Sequence, residues 1–264
     1  MGSRFVSFQE ALNWVESHVD YEKYPGGIRT KRGPTLSRIR ELCYLLGDPQ
    51  KSAPAIHVTG TNGKGSTVRM ATSLLITASF SVGTYTSPDL QGIRERICYD
   101  NTPISEDEWA DVISLIASLE PMLNEDLTRF EILTAAAFTY FADRGVAAQV
   151  VEVGLGGTWD ATNVIDASVS VVTNIGFDHV EILGDTLEKI ASEKAGILKE
   201  NSVAIIGRVN QEVYDIFEKR SREVSCEAIL REGEDFGLLQ ERQAVGGRLA
   251  TIWTPRGIIE DIYI

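Results

Sequence analysis

From Ala55 onward the chain alternates short runs that are apolar throughout with longer runs whose apolar residues recur at helical spacing, and no other feature limits its fold so tightly. The apolar runs are Ala55–Thr59, Ser81–Tyr85, Ala148–Val153, Ser168–Asn174 and Val203–Ile206. Each is too short for a helix and has no polar face to turn to water, so it reads as a strand covered on both sides. Helices are expected at Lys64–Thr77, Asp185–Leu198 and Glu212–Glu223. Two more open at the capping boxes Ser105/Glu108 and Thr128/Glu131, the second running to about Asp143. This alternation implies an α/β fold, a mainly parallel sheet with helices on both faces.

Ahead of that core, Ser7 and Glu10 read as a third capping box, with Phe8, Ala11, Leu12, Val15 and Val19 following at helical spacing. The turn-rich stretch Tyr24–Pro34 reads as a flap or arm that delivers the chain into a helix over Leu36–Leu46, closed by Gly47. At the other end, Arg248–Trp253 and Gly257–Ile264 flank a Thr254–Gly257 turn and predict a short terminal β-hairpin, within a small β subregion over about 225–264. The whole chain, 1–264, reads as one domain, and its stop inside a β element looks like a cut.

Charge and composition exclude several functions. With 25 Lys and Arg against 38 Asp and Glu, the net charge is −13, which leaves no general attraction for nucleic acid or for an anionic membrane. No apolar run approaches the roughly 20 residues of a membrane helix. Cys43, Cys98 and Cys226 are widely spaced, with no CxxC pair, so a reducing, cytoplasmic setting is expected. The N-terminus lacks the basic and apolar regions of a secretory signal. Met1–Ser7 fits the loose myristoylation pattern, but without the polybasic patch or second lipid site that stable anchoring needs.

The sharpest chemical signal is Gly60-Thr61-Asn62-Gly63-Lys64-Gly65-Ser66, set between the strand Ala55–Thr59 and a helix. Glycines let backbone amides turn onto a phosphate, the helix N-terminus adds partial positive charge, and Lys64 adds a full one. A triphosphate is the natural guest, although Val58 and Gly65 break the strict Walker pattern and a plain glycine-rich turn is the alternative. Glu152 ends a strand where open α/β sheets bind ligands, so it is either a Mg²⁺ ligand or a solvated strand-end acid. His179 occupies another such edge. The Ser87 hydroxyl could reach a metal, or Ser87-Pro88 could simply make a turn. Phe130 reads first as core and Thr128 as a helix cap, while Lys194, late in a helix, reads on position alone as a surface lysine.

Together these stretches resemble the folylpolyglutamate synthase/dihydrofolate synthase family, relatives of the Mur ligases. The matching segments are HVTGTNGKGS (His57–Ser66), YTSP (Tyr85–Pro88), RERI (Arg94–Ile97), FEILTAAAF (Phe130–Phe138), VVEVGLGG (Val150–Gly157), DATNV (Asp160–Val164), VTNIGFDHVEILG (Val172–Gly184) and EKAGI (Glu193–Ile197). The resemblance implies the P-loop-type central domain of a Mur ligase, with Gly60, Thr61, Asn62, Gly63, Lys64, Gly65 and Ser66 around the ATP phosphates. It implies Ser87, Glu152 and His179 as Mg²⁺ ligands, with two Mg²⁺ sites, the second organised by a Lys194 carboxylated by CO₂. Lys64, His179 and Lys194 are then the catalytic residues, and Thr128, Phe130 and Asp160 seat the pterin end of the substrate.

The implied reaction passes the ATP γ-phosphoryl group to a carboxylate of dihydropteroate or a folate, and L-glutamate displaces it, with the protein a monomer. Two departures from the family pattern stand out, Asp89 where relatives carry histidine and Thr158 where they carry arginine. Relatives also continue into a glutamate-binding domain, so the resemblance implies that this chain by itself is inactive. Two alternatives stay open: a Mur-type amino-acid ligase acting on a cell-wall precursor, and a non-catalytic nucleotide-binding module.

Overall fold

The structure is a computed structural model describing residues 5–21 and 35–263. The arm expected over Tyr24–Pro34, the first four residues of the myristoylation-like pattern and Ile264 lie outside the described residues. Helices α1 (Phe8–Glu16) and α2 (Leu36–Leu45) precede strand β1 (Ala55–Thr59). Helix α3 (Lys64–Thr77) leads to β2 (Val82–Tyr85), after which β3 (Ile97–Tyr99) and β4 (Thr102–Pro103) fold back. Helices α4 (Glu106–Leu119) and α5 (Arg129–Arg144) lead to β5 (Ala148–Glu152), and a long loop to β6 (Val169–Val172). The short α6 (Val180–Leu183), α7 (Leu187–Lys194), β7 (Val203–Ile206), α8 (Gln211–Glu223) and β8 (Ala228–Arg231) complete the main sheet. Strands β9 (Gly237–Ala244), β10 (Gly247–Thr254) and β11 (Gly257–Tyr263) make a second one. No helix among the described residues is long and apolar enough to cross a membrane.

The main sheet runs β4-β3-β2-β5-β1-β6-β7-β8. Its strands are parallel from β2 to β8, and β3 and β4 are antiparallel at the edge. From β1 the chain works to one side through β2 and β5, then crosses β1 to place β6 on its other flank. That reversal makes the carboxyl end of β1 the switch point, where sheets of this kind bind ligands.

The apolar strands are covered on both faces, as their sequence requires. Val58, Val82, Val150 and Val171 face α3 through Val68, Ala71 and Leu75, while Val151 and Tyr85 point the other way, into a cluster that includes Ile132, Ala136 and Phe141 of α5. Gly83 permits the close approach of α5, because a β-carbon there would come within 2.5 Å of the Phe141 ring. Val172, Ala204 and Ile206 pack with Ala191 of α7 and Phe217 of α8.

The structure also departs from the sequence expectations. The terminal hairpin is part of a three-stranded antiparallel sheet, β11-β10-β9. Strand β9 was invisible in the sequence because Gln240, Glu241, Arg242 and Gln243 break any apolar alternation. Its polar side chains pair only once strands meet, as Arg248 with Glu241 at 2.6 Å and Arg242 with Asp261 at 2.6 Å show. The short strands β3, β4 and β8 were also not anticipated. The Ser105 and Thr128 capping boxes close fully. The Ser7 box closes by half: Ser7 accepts from the Glu10 amide at 3.3 Å, but the Glu10 carboxylate takes the Val6 amide instead. Helix α1 ends at Glu16, and Val19, 56% exposed, bridges to Thr128.

Candidate active site

The turn after β1 is shaped by the segment after β6. Gly60 adopts φ 148°, and a β-carbon on it would lie 1.8 Å from the Thr173 hydroxyl oxygen, so only glycine fits. The Thr61 amide donates to the Asn174 carbonyl at 3.0 Å, and the Asn62 amide to Asn174 Oδ1 at 2.9 Å. The Thr61 hydroxyl donates to the Gly176 carbonyl at 3.1 Å and accepts from its amide at 2.9 Å. Gly63 caps α3 in the left-handed region at φ 81°. Lys64 and Ser66 thus fall in the first turn of α3, whose amides have no carbonyl inside the helix and suit a phosphate.

Two lysines converge beneath this turn. Lys64 Nζ donates to the Gly60 carbonyl at 3.1 Å, and Lys194 Nζ donates to the same oxygen at 3.0 Å. Lys194, at the end of α7, is 4% exposed rather than on the surface. Burial, reinforced by the nearby Lys64 charge, pushes its ammonium down to about 8.

Strand pairing sets Glu152 beside this loop, since it is the register partner of Val58. Glu152 is 4% exposed, and burial pushes its carboxyl up to about 7 against the opposing pull of the Ser87 amide, Lys64, Arg69 and Arg96. Its one hydrogen bond among the described residues is the Ser87 amide, donating to Oε2 at 3.3 Å. A β-carbon at Gly65 would sit 3.5 Å from that oxygen. A buried carboxylate this poorly neutralised, with a hydroxyl-bearing residue and a phosphate turn next to it, fits a hard divalent cation. His179 is placed differently. It lies at the start of α6 at φ 47°, with its side chain 51% exposed and 3.6 Å from Asp178. Among the described residues no group of three or more His, Cys, Asp or Glu gathers as a metal cluster.

His179 and Ser87 share the wall of a cavity of ≈ 240 Å³ with Thr128, Phe130 and Asp160. Phe130 occupies the space that a side chain at Gly154 would need, 2.5 Å from its ring, and tilts against Tyr85 at 6.0 Å. The Thr128 hydroxyl is committed to its helix cap, donating to Glu131 at 2.8 Å. Asp160 Oδ2 accepts from the Leu155 amide at 3.0 Å, and Oδ1 accepts from the Thr162 amide at 2.9 Å and from the Thr162 hydroxyl. The cavity thus joins an aromatic wall to a fixed carboxylate.

Sequence reasoning missed Arg38, which is 4% exposed and donates through Nε to both Glu131 oxygens, at 3.0 and 3.1 Å, under the same cavity. The signal was there: Arg38 sits four residues before Leu42, on the apolar stripe of α2. The two departures also have partners. Asp89 pairs with the buried Arg96 at 2.6 Å, which outweighs burial and holds its carboxyl below the usual range. Thr158 bonds through amide and hydroxyl to the Glu193 carbonyl at 3.1 and 3.0 Å.

The Mur ligase middle domain family matches residues 58–240. The dihydrofolate synthase/folylpolyglutamate synthase of Mycobacterium tuberculosis is 39% identical over 271 aligned positions, covering 96% of this chain and 55% of that protein. Its Bacillus subtilis counterpart is 41% identical over 212, covering 78% and 47%. Among solved structures, an FPGS–AMPPCP–folate complex superposes with TM-score 0.90 at 32% identity, covering 98% of this chain and 62% of that one. The Mycobacterium tuberculosis folylpolyglutamate synthase with ADP and AMPPCP gives 0.86 at 37%, covering 97% and 57%. The chain therefore spans about half the length of the curated relatives it matches.

Proposed function

The chain belongs to the Mur ligases and, among them, to the folylpolyglutamate synthase/dihydrofolate synthase family, and on that premise we propose that it is the ATP-handling part of a ligase. That ligase joins L-glutamate to dihydropteroate, to the γ-carboxylate of a folate, or to both, as a cytoplasmic monomer. One observation carries this: Ser87 touches Glu152 beside the phosphate turn and also lines the aromatic cavity, so nucleotide and acceptor would meet at one rim.

ATP lies with its phosphates in the Gly60–Ser66 turn, against the first-turn amides of α3 and Lys64. The acceptor's ring enters the cavity beside Phe130, with Asp160 facing its polar edge, Thr128 shaping the wall through its helix cap, and its carboxylate toward Ser87. A carboxylate oxygen attacks the γ-phosphorus while the bond to ADP breaks, giving an acyl phosphate. The glutamate amine then attacks the acyl carbon, the tetrahedral intermediate expels phosphate, and the ammonium proton passes to solvent. Lys64 neutralises charge growing on the phosphoryl oxygens, and the apolar cavity keeps water from the acyl phosphate. Ser87, Glu152 and His179 would hold Mg²⁺, which when bound screens the phosphate charge. Lys194, carboxylated by CO₂ on its neutral amine, would exchange a cation for an anion that helps hold a second Mg²⁺.

The test is titration with Mg·AMPPCP, dihydropteroate, folate and a UDP-sugar, then ADP release with each acceptor plus glutamate. Binding of nucleotide and a pterin acid is expected, with Lys64→Ala weakening the nucleotide about tenfold or more. Preference for the UDP-sugar would indicate a cell-wall Mur ligase, and nucleotide binding with no acceptor a non-catalytic module.

A further inference from the structure

His57, in the middle of β1, is fully buried, and the phosphate turn makes no use of it. Its Nε2 lies 2.8 Å from the Thr162 hydroxyl oxygen. That hydroxyl also contacts Asp160 Oδ1, which accepts the Thr162 amide as well. An ionised carboxylate only accepts, so the hydroxyl proton points at Asp160 and the hydroxyl must accept from His57. Nε2 therefore carries the ring proton.

Nδ1 is then a bare acceptor, and it is buried with no hydrogen-bond partner among the described residues. A leucine of similar volume would fill this position without an orphaned nitrogen, so packing alone gives no reason for a histidine here. What the histidine adds is one directed N–H. Burial and the charge of Lys199 keep the ring neutral, pushing it down to about 3.

We propose that His57 is a positioning residue for the acceptor: by donating to Thr162 it turns the Thr162 hydroxyl onto Asp160 and fixes the carboxylate that faces the cavity. This rests on the reading of that cavity as the pterin-acid site. The Thr162 amide, the Thr162 hydroxyl and the Leu155 amide are among the donors that hold the carboxylate plane, and the N–H of His57 sets the direction of one of them. Without it the Thr162 hydroxyl still donates to Asp160 but loses the bond that fixes its oxygen, so the direction of that donor is less defined, and with it the edge the carboxylate presents to its ligand.

The experiment compares His57→Leu, His57→Gln and Thr162→Val in the full chain, measuring dihydropteroate and Mg·AMPPCP affinities separately. His57→Leu and Thr162→Val are each expected to weaken dihydropteroate about tenfold while leaving AMPPCP within about twofold. His57→Gln, which keeps a terminal N–H, should recover most of the loss. The double variant should be no worse than either single one. Imidazole ¹⁵N NMR at neutral pH should report a proton on Nε2 of His57 and none on Nδ1. Unchanged dihydropteroate affinity in Thr162→Val, equal losses of both ligands, or a proton on Nδ1 each overturns the proposal, and Thr162→Val decides if His57→Leu fails to fold. A wild-type chain that binds AMPPCP and no pterin acid overturns the functional reading instead, and the NMR result still decides the hydrogen-bond direction.

Discussion

Lys64 and Lys194 bring two ammonium groups to a single acceptor, the Gly60 carbonyl oxygen, at 3.1 and 3.0 Å. Two like charges around one neutral carbonyl repel, and the more buried one gives way.

Lys194 is that one, with its ammonium pushed down to about 8 from 10.5. A neutral amine, the form that adds CO₂, is therefore present near pH 8, whereas a solvated lysine would remain almost wholly charged. Incubation with ¹³C-bicarbonate should give a carbamate resonance that grows between about pH 7 and 9 and is absent in Lys194→Arg. The sign for stability follows: the unfolded chain keeps this proton up to 10.5, so burying the lysine costs stability below pH 8 and stability should rise from pH 8 to 10.5. A wild-type chain with no carbamate signal would remove Lys194 from the metal site.

Glu152 runs in the opposite sense. Its folded carboxyl is raised from 4.5 to about 7, so the folded state holds the extra proton in that window and stability should fall as pH rises through it. A cation that binds the ionised form reverses the loss. Mg²⁺ should therefore raise Tm at pH 8 and have little effect at pH 5, and Glu152→Gln should abolish both the Mg²⁺ effect and this part of the pH slope. A Mg²⁺ shift that survives in Glu152→Gln would place the cation elsewhere.

At Gly60 the constraint is steric. A methyl group there would overlap the Thr173 hydroxyl, which sits 1.8 Å from the β-carbon position. Gly60→Ala should lower stability by about 1–3 kcal/mol and weaken AMPPCP by more than its effect on Tm accounts for. Thr173→Ala in the same chain should restore part of both. If Gly60→Ala alone binds AMPPCP normally, the turn is more plastic than its hydrogen bonds to Asn174 and Gly176 imply.

Much of this was legible locally. The glycine-rich turn, the two complete capping boxes and the five apolar strands depend on neighbours within a few residues, and sequence shows those. What it could not show is pairing at a distance. Arg38 meets Glu131 across 93 positions and His57 meets Thr162 across 105; an arginine on an apolar stripe hints at a buried partner, but nothing local says which residue that is. Lys194 reads as a surface residue because helical position carries no information about the loop above it. Its 4% exposure comes from the fold bringing Gly60 onto the end of α7. His179 shows the limit from the other side: its strand-edge position gave its place on the cavity wall with Ser87, but not that its side chain would be 51% exposed there.

The Asp89 departure supplies the last test. Where the sequence resemblance implies histidine, this chain has a carboxylate 2.6 Å from an Arg96 guanidinium that is 3% exposed. The same short segment holds the loop a second time, since the Gln91 amide donates to Glu95 at 3.1 Å and the Leu90 amide to the same carboxylate oxygen. Ser87 stands at the head of this loop, so its position relative to Glu152 depends on both ties. Asp89→Asn keeps the volume and removes the charge. With Asp89 27% exposed, the loss should be about 1–2 kcal/mol, below the cost of breaking a fully buried pair. Because Arg96 holds the Asp89 carboxyl below its usual value of 3.8, this stabilisation is present above that value and disappears as pH falls through the lowered one. Asp89→His, which brings in the residue the resemblance implies, should be worse than Asp89→Asn in acid, where an imidazolium would face Arg96, and closer to it above pH 7. Thermal melts of the three proteins from about pH 3 to 8, with Mg²⁺-dependent AMPPCP affinity measured alongside, check this. If Asp89→His matches wild type across that range, Arg96 does not depend on Asp89 and the loop is held by Glu95 alone.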